Sequence, residues 1–292
     1  MTSSLTTPTR TLRLRLKDKH AGFLREQARS VNFVWNYCNE LSVKHFERTR
    51  RFLSAYDMQP YTKGAGAELV LHSQTVQAVQ EEYVTRRKQF KKVKLRWRVS
   101  GGTRRSLGWI PFKASAIRYR GGQVWYGSRA LSLWDSYGLS QFELGSGSFS
   151  EDSRGRWYLN VTVKRPVFVG PQRPKAMGAV GLDLGLKDFV ATSDGEKVEA
   201  QRFYRDLEAD LTVVQRANKT QRVKAIHAKI ANRRKDALHK LSTRLVNEYG
   251  AIFIGNVNAA GLAKTRMAKS VLDAGWSAFR TMLQYKCDDA GV

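Results

Sequence analysis

The sequence predicts an α+β protein built from two or three folding units. The chain has 292 residues, of which 42% are hydrophobic, so it can bury a substantial core. Between residues 106 and 166, short segments rich in aromatic and β-branched residues alternate with Gly and Ser turns, which is typical of an antiparallel barrel or sandwich. After residue 178, two apolar strand-like segments precede a long helical tract, a further strand and a helix, which indicates an α/β unit.

The first strand of the barrel is predicted close to the start of the chain. Residues 10–16 alternate between leucine and basic or polar side chains, so one face of the strand is apolar and the other is basic. We expect this strand to join the barrel, which then consists of residues 1–19 and 105–168. Residues 20–104 become a helical insertion between barrel strands.

Apolar residues at helical spacing predict two helices in this insertion. One follows Asp18, which can cap it, and the second extends from about residue 69 to residue 93. Three of the six prolines lie in residues 166–174, so residues 169–177 are predicted to be a linker. Residues 178–292 form the α/β unit that follows.

The charge of the chain indicates a polyanionic partner. There are 51 Lys and Arg residues against 25 Asp and Glu, which gives a net charge of +26. Such an excess destabilises a compact chain by self-repulsion, and bound nucleic acid relieves it through phosphate contacts. No apolar run approaches the length of a membrane span, and there is no signal peptide, so we expect a cytoplasmic protein without a membrane partner. Cys38 and Cys287 fall on apolar helical positions and are predicted to be core thiols.

One carboxylate lies within a predicted strand–turn–strand segment, Gly181–Thr192. Asp183 is surrounded by apolar residues that suit a sheet interior, so we expect it to be buried. A buried carboxylate is costly unless its charge is compensated, and a divalent cation is the usual solution. The alternative is a surface hairpin in which Asp183 only caps the turn.

The position of Asp183 is also that of a known metal-binding arrangement. Carboxylates on separate strands that hold two divalent ions carry out phosphodiester chemistry. An RNase H-like fold places the first Asp on its opening strand and a second carboxylate at the end of its fourth strand. Residues 251–254 are predicted to be that fourth strand, beside the first and at an uncovered edge. Gly255 follows this strand, so no carboxylate stands at its end.

A basic and aromatic cluster between residues 86 and 105 predicts contact with RNA. Phe90 and Trp97 are interleaved with the cations of this cluster. Aromatic rings and arginine guanidinium groups can stack on the bases of single-stranded RNA. The alternative is a solvated helix end. The candidate nucleic-acid-binding residues of this cluster are Arg86, Arg87, Lys88, Lys91, Lys92, Lys94, Arg96, Arg98, Arg104 and Arg105.

Three segments together carry a resemblance to a known family. They are Gly181–Thr192, His227–Val246, and Leu272–Trp276 with Tyr285 and Lys286. With these motifs the chain resembles the TnpB-type RNA-guided nucleases, the OrfB family of insertion-sequence transposon proteins and the ancestor of type V CRISPR effectors.

The resemblance implies a domain organisation and partners. The barrel is then wedge-like, the insertion is a recognition domain, and together they bind a transposon-end-derived guide RNA and the target-adjacent DNA duplex. Residues 178–292 are then a RuvC-like domain that lacks its C-terminal part and its zinc ribbon. The expected location is the bacterial cytoplasm, in association with the nucleoid. The residues expected to line the guide–target channel are Lys224, Lys229, Arg233, Arg234 and Lys240.

The resemblance also implies the metal centre. Asp183 matches the first catalytic Asp and is expected to bind Mg²⁺ or Mn²⁺, while Gly255 takes the place of the catalytic Glu. The third Asp and the zinc ribbon are expected beyond Val292, so no zinc site is predicted here. Other carboxylates lie nearby, but turn, cap and surface roles are favoured for them: Asp194, Asp273, Asp288 and Asp289.

These expectations favour an RNA-guided DNA-binding protein whose nuclease site is incomplete in this chain. The chain is then a truncated product, a relative with its Glu on a later strand, or a domesticated, nuclease-inactive form. Two alternatives stay open. One is an active metal-dependent DNA endonuclease with its remaining carboxylates beyond Val292, and the other is an RNA-binding protein without DNA targeting.

Overall fold

The structure is a computed structural model that describes residues 9–164 and 178–292. The chain is divided into two compact units, residues 1–168 (unit 1) and residues 169–292 (unit 2). The predicted linker, residues 169–177, lies outside the described residues. The mixture of helices and strands in both units confirms the predicted α+β class, while the finer domain boundaries stay predictions.

In the described part of unit 1, three α-helices lie between the first strand and the strands that follow. The bounds are β1 (Thr9–Arg15), α1 (Ala21–Thr49), α2 (Ala65–Glu68), α3 (Ser73–Phe90), β2 (Trp109–Phe112), β3 (Ile117–Arg120), β4 (Gln123–Tyr126), β5 (Arg129–Ser132), β6 (Glu143–Glu151) and β7 (Trp157–Lys164).

The strands of unit 1 form two antiparallel sheets. One has the order β1-β7-β6-β2 and the other the order β3-β4-β5, with a single bridge between Leu16 and Leu133 connecting them. Within residues 9–164 the sheets do not close, so the predicted barrel is wrong. Short alternating strands are common to barrels and open sheets, and closure depends on pairing between distant strands that this pattern does not specify.

The predicted pattern of the first strand is confirmed. Leu12 and Leu14 are buried, whereas Arg13 between them faces outward and stacks 4.0 Å from the centre of the Tyr158 ring. β1 pairs with β7 in an antiparallel register. Helix α1 packs on the same core, since the ring of Trp35 lies 6.1 Å from that of Trp109 on β2.

Unit 2 contains a small sheet and a set of helices. In its described part the bounds are β8 (Ala179–Leu184), β9 (Asp188–Thr192), β10 (Lys197–Glu199), α4 (Glu208–Arg216), α5 (Thr220–Glu248), β11 (Ala251–Ile254), α6 (Ala259–Leu262), α7 (Ala268–Ala274) and α8 (Trp276–Ala290).

The sheet of unit 2 has the order β10-β9-β8-β11. β8 pairs with β9 antiparallel and with β11 parallel, so the predicted neighbourhood of the opening strand and strand 251–254 is confirmed. Helices α5 and α8 pack together on the core, where the rings of Phe189 and Phe279 lie 5.2 Å apart. β11 is the last strand of the described sheet, and Phe253 on it is exposed, as the edge prediction requires.

Two predicted helical tracts are interrupted. The tract before residue 249 breaks between α4 and α5, where Asn218 has a left-handed φ of 52°. The last helix breaks at Gly275, whose φ of 73° favours glycine over any other residue. Apolar periodicity alone does not predict such breaks.

Cys38 and Cys287 are both free thiols, and burial raises the pKa of Cys38 to about 12.

Over residues 9–164 and 178–292, none of the helices is both long enough and apolar enough to span a membrane.

Candidate nucleic-acid interface and metal centre

Asp183 lies on β8 with its side chain on the exposed face of the sheet. The burial of β8 alternates, so Val180, Leu182 and Leu184 enter the core whereas Asp183 points away from it. The prediction that Asp183 is buried is therefore wrong. Its charge is solvated and needs no cation to compensate desolvation, so its role as a metal ligand stays a prediction that rests on its position and on the resemblance.

Gly255 lies directly beside Asp183. The backbone N–H of Gly255 donates to the carbonyl oxygen of Leu182 at 2.9 Å, which continues the parallel pairing of β8 and β11. A Cβ atom built on Gly255 would lie 3.8 Å from Oδ1 of Asp183, at ordinary van der Waals distance. A glutamate at position 255 would thus place its carboxylate next to that of Asp183. Because residue 255 is a glycine, it supplies no carboxylate there.

The other carboxylates that were considered are engaged elsewhere. Asp194 accepts a hydrogen bond from the Tyr249 hydroxyl at 2.9 Å, and Asp288 accepts one from Gln284 at 2.9 Å. The side chain of Asp289 lies outside the described residues. In the described part of the chain, no group of three or more His, Cys, Asp or Glu side chains is arranged to hold a metal ion.

Asp273 has a structural role in the motif Leu272–Trp276. Its buried carboxylate accepts hydrogen bonds from the backbone N–H of Tyr204 and from Nη2 of Arg234, both at 2.9 Å. A Cβ atom at Gly275 would lie 2.9 Å from Cδ of Arg234, so this glycine makes room for the arginine. Arg234 therefore ties α5 to α7, which accounts for it without the predicted contact to nucleic acid.

The remaining predicted cations of α5 are accessible. Lys229 and Arg233 are exposed one turn apart, and Lys224 is half-buried. Lys240 is exposed and pairs with Asp236 at 2.8 Å. Solvent-exposed pairs of this kind are weak, so Lys240 can exchange its partner for a phosphate.

Arg87 requires a correction within the basic cluster. It is 4% exposed, and its guanidinium donates to Oγ of Ser42 at 2.7 Å and to the carbonyl oxygen of Leu53 at 3.0 Å. The same group stacks 4.2 Å from the centre of the Phe52 ring. A side chain enclosed in this way cannot contact nucleic acid, so Arg87 belongs to the core of unit 1.

Most other cations of the cluster are exposed. Arg86 pairs with Glu82 at 2.6 Å on the surface of α3. The cluster then leaves the helix, because α3 ends at Phe90 and the chain continues without regular secondary structure to β2. The exposed cations are Arg86, Lys88, Lys91, Lys92, Lys94, Arg96, Arg104 and Arg105.

Asparagines of α1 fix part of this irregular chain, which we call the asparagine-held segment (residues 94–100). Asn39 exchanges two hydrogen bonds with the backbone of Leu95, at 2.8 and 3.0 Å. Asn36 does the same with the backbone of Arg98, at 2.9 and 2.8 Å. Sequence reasoning missed these residues, although asparagines at helical spacing on the inner side of a helix are a detectable signal.

The fixed backbone presents a cationic and aromatic surface. Trp97 is 46% exposed, and Nζ of Lys94 lies 5.9 Å from the centre of its ring. Arg96 is exposed beside them. Exposed aromatic planes among cations bind single-stranded nucleic acid by stacking on bases while the cations contact phosphates.

Two predicted arginines of the cluster also have internal partners. Arg98 is half-buried and donates to Oδ1 of Asn32 at 2.6 Å, and burial lowers its pKa. Arg105 donates to both carboxylate oxygens of Glu151, at 2.6 and 3.1 Å. The hydrogen bonds from Arg105 to Glu151 raise the pKa of Arg105. Arg98 thus stabilises the contact with α1 through its hydrogen bond to Asn32, whereas Arg105 remains accessible to solvent.

Comparisons with known proteins find similarity over part of the chain. Residues 158–266 match the OrfB_IS605 family model, described as "Probable transposase". A "Putative RNA-guided DNA endonuclease" of Streptomyces pristinaespiralis is 32% identical over 192 residues, which are 60% of this chain and 47% of that protein. The "Putative RNA-guided DNA endonuclease InsQ" of Escherichia coli (strain K12) is 28% identical over 162 residues, 46% of this chain and 40% of that protein.

The chain thus spans less than half the length of these two relatives. A solved structure titled "Cryo-EM structure of the Cas12f1-sgRNA-target DNA complex" is 14% identical and has a TM-score of 0.35, with 98% of this chain and 84% of that chain covered. A TM-score of that size does not establish a shared fold.

Proposed function

We propose that this chain, a TnpB-type protein by its match to the OrfB_IS605 transposase family, binds a guide RNA and uses it to bind complementary double-stranded DNA. Base pairing would then read the sequence, and the protein would hold the backbone of the paired strands. The net charge of +26 and the exposed cations of both units support a nucleic-acid partner.

The proposal assigns a part to each region. Residues 1–19 and 105–168 are the wedge-like region, and residues 20–104 are the recognition insertion that contacts the RNA. Residues 169–177 are the linker. Residues 178–292 are the RuvC-like region, in which the exposed cations of α5 face the heteroduplex.

The surroundings of Asp183 support DNA binding rather than cleavage in this proposal. Gly255 lies beside Asp183, at the place where a second carboxylate would complete a divalent metal site. A two-metal nuclease needs several carboxylates to hold its ions, and in the described part of the chain no group of three or more His, Cys, Asp or Glu side chains is arranged to do so. The described residues therefore do not fit a two-metal centre.

Metal-dependent DNA cleavage is the second candidate function. The names of the two relatives favour it, because both are putative RNA-guided DNA endonucleases. Cleavage would require carboxylates besides Asp183 to complete a site for Mg²⁺ or Mn²⁺. The remaining alternative is an RNA-binding protein without DNA targeting. It would bind RNA but show no preference for a DNA duplex that matches this RNA.

The test begins with the RNA that the protein selects. The chain is purified from cells that carry a related insertion element, and the RNA that copurifies is sequenced. We expect RNA from the end of the element, and we expect the ribonucleoprotein to shift a duplex that matches this RNA in a gel. RNA of random origin, or no preference for the matching duplex, would contradict guided DNA binding.

The affinity for RNA should depend steeply on salt. Each phosphate that a cation neutralises releases counterions, so the affinity should fall about 100-fold or more between about 50 and 200 mM salt. Filter binding at several salt concentrations measures this slope, while urea denaturation of the free protein at the same concentrations controls for its stability. A nearly flat slope would show that the exposed cations do not bind the phosphates.

A further inference from the structure

Unit 1 contains a cavity between helix α1 and the chain that follows the asparagine-held segment. Its volume is about 330 Å³. Three arginines line it, Arg25 and Arg29 from α1 and Arg105 from the chain before β2. Polar groups of Ser100 and Ser106 complete the wall.

This volume is enough for a phosphate group and the sugar that carries it. Its walls come from two elements whose relative position is fixed by hydrogen bonds. Asn32 of α1 donates to Oγ of Ser100 at 3.0 Å and accepts from Arg98. The cavity is therefore formed in the free protein.

One carboxylate orients two of the three arginines. The buried side chain of Glu151 accepts two hydrogen bonds from Arg105, at 2.6 and 3.1 Å, and one from the backbone N–H of Gly108 at 3.0 Å. Nε of Arg25 lies 3.6 Å from the same carboxylate. Burial alone would raise the pKa of Glu151, but the hydrogen bonds from Arg105 and Gly108 hold it below its usual value. Glu151 stays ionised, and it compensates only one of the three positive charges.

The third arginine and a buried indole lack partners. Arg29 is exposed and forms no ion pair with any acid in residues 9–164. Trp157, which borders the cavity, is 2% exposed, and its indole N–H is buried without an acceptor among the described residues. The excess positive charge matches a ligand that supplies anionic oxygens.

We propose that this cavity binds a phosphate group of single-stranded RNA, with Arg29 as its main cation and Arg25 and Arg105 beside it. The inference rests on the proposed function and names where the RNA is held. Ser100, at the end of the asparagine-held segment, lines the cavity, so the cavity adjoins the segment that carries the exposed Trp97. Internal phosphates and a 5′-terminal phosphate share this chemistry.

The test compares two exposed arginines of α1. Arg29→Gln removes the main cation, whereas Arg48→Gln removes an equivalent charge about five turns along the same helix. The affinity of the purified full chain for a fluorescent single-stranded RNA is measured by anisotropy at several salt concentrations. We expect Arg29→Gln to weaken binding by about threefold to tenfold and to reduce the salt slope by about 0.7, with little change for Arg48→Gln.

The RNA is used with a 5′-phosphate and with a 5′-hydroxyl. An equal loss for both forms supports an internal phosphate, and a loss confined to the phosphorylated form supports a terminal one. If wild type binds RNA and the two variants lose the same affinity, or neither loses any, the cavity is not a phosphate site although the proposed function stands. If wild type binds no RNA, the proposed function itself fails.

Discussion

Replacing Arg87 by alanine should lower the free energy of unfolding by about 3 kcal/mol, whereas the same change at Arg86 should lower it by less than about 0.5 kcal/mol. Arg87 is enclosed, and its removal leaves Oγ of Ser42 and the carbonyl oxygen of Leu53 without their donor. The stacking on Phe52 is lost as well. Arg86 only gives up an exposed pair with Glu82.

Urea denaturation of the two variants measures the difference, and RNA binding separates their roles. Arg86→Ala should leave the protein folded and weaken RNA binding, because an exposed cation is lost. Arg87→Lys provides a further comparison, since a lysine keeps the charge but cannot reproduce both hydrogen bonds of the planar guanidinium. A loss of stability at Arg87 as small as that at Arg86 would contradict its assignment to the core.

Replacing Gly255 by glutamate should create a divalent metal site. The new side chain starts 3.8 Å from Oδ1 of Asp183, and the backbone of Gly255 is not in the left-handed region, so a glutamate fits there. Without metal the two carboxylates repel each other, and we expect a small loss of stability. With Mn²⁺ at about 100 times its Kd, the free energy of unfolding should rise by about 2.7 kcal/mol.

Thermal denaturation with and without Mn²⁺ measures this gain. Gly255→Gln is the matched control, because it has the same shape without the charge and should gain nothing. Asp183→Asn in the Gly255→Glu background should abolish the gain, since one carboxylate alone holds a divalent ion weakly. Equal stabilisation of the glutamine and glutamate variants by Mn²⁺ would show that the ion binds elsewhere.

The burial of Arg87 could not be predicted from the local excess of cations, but it could have been predicted from helical periodicity. Val76, Val79 and Tyr83 of α3 are buried, and Arg87 follows Tyr83 one helical turn later on the same face. Because Arg87 lies within a run of cations, it was predicted to be a surface charge. The helical spacing of its apolar neighbours was the signal that places it inside.

Asp183 shows the corresponding limit for strands. A short apolar segment containing one carboxylate fits a strand buried on both faces, and it fits equally a strand buried on one face. Only the covering of the second face distinguishes them, and that depends on residues distant in sequence. The neighbourhood of β8 and β11 was predictable from the resemblance, and the closeness of Gly255 to Asp183 follows from it.

Long-range pairing also limited the prediction of unit 1. The alternation of β1 predicted its buried leucines, but the open edges of the sheets depend on which strands meet. The hydrogen bonds from Asn36 and Asn39 to the asparagine-held segment join residues more than fifty positions apart. Such contacts leave only a weak local signal, three asparagines on one helix.

The most direct test of the account combines DNA binding and DNA cleavage in one sample. The ribonucleoprotein of the 292-residue chain is mixed with a duplex that matches its RNA, in the presence of Mg²⁺, and both the bound and the cleaved fractions are measured. The account predicts that the matching duplex is bound and stays intact, for wild type and for Asp183→Ala alike. Cleavage of the matching duplex by wild type, lost in Asp183→Ala, would contradict it.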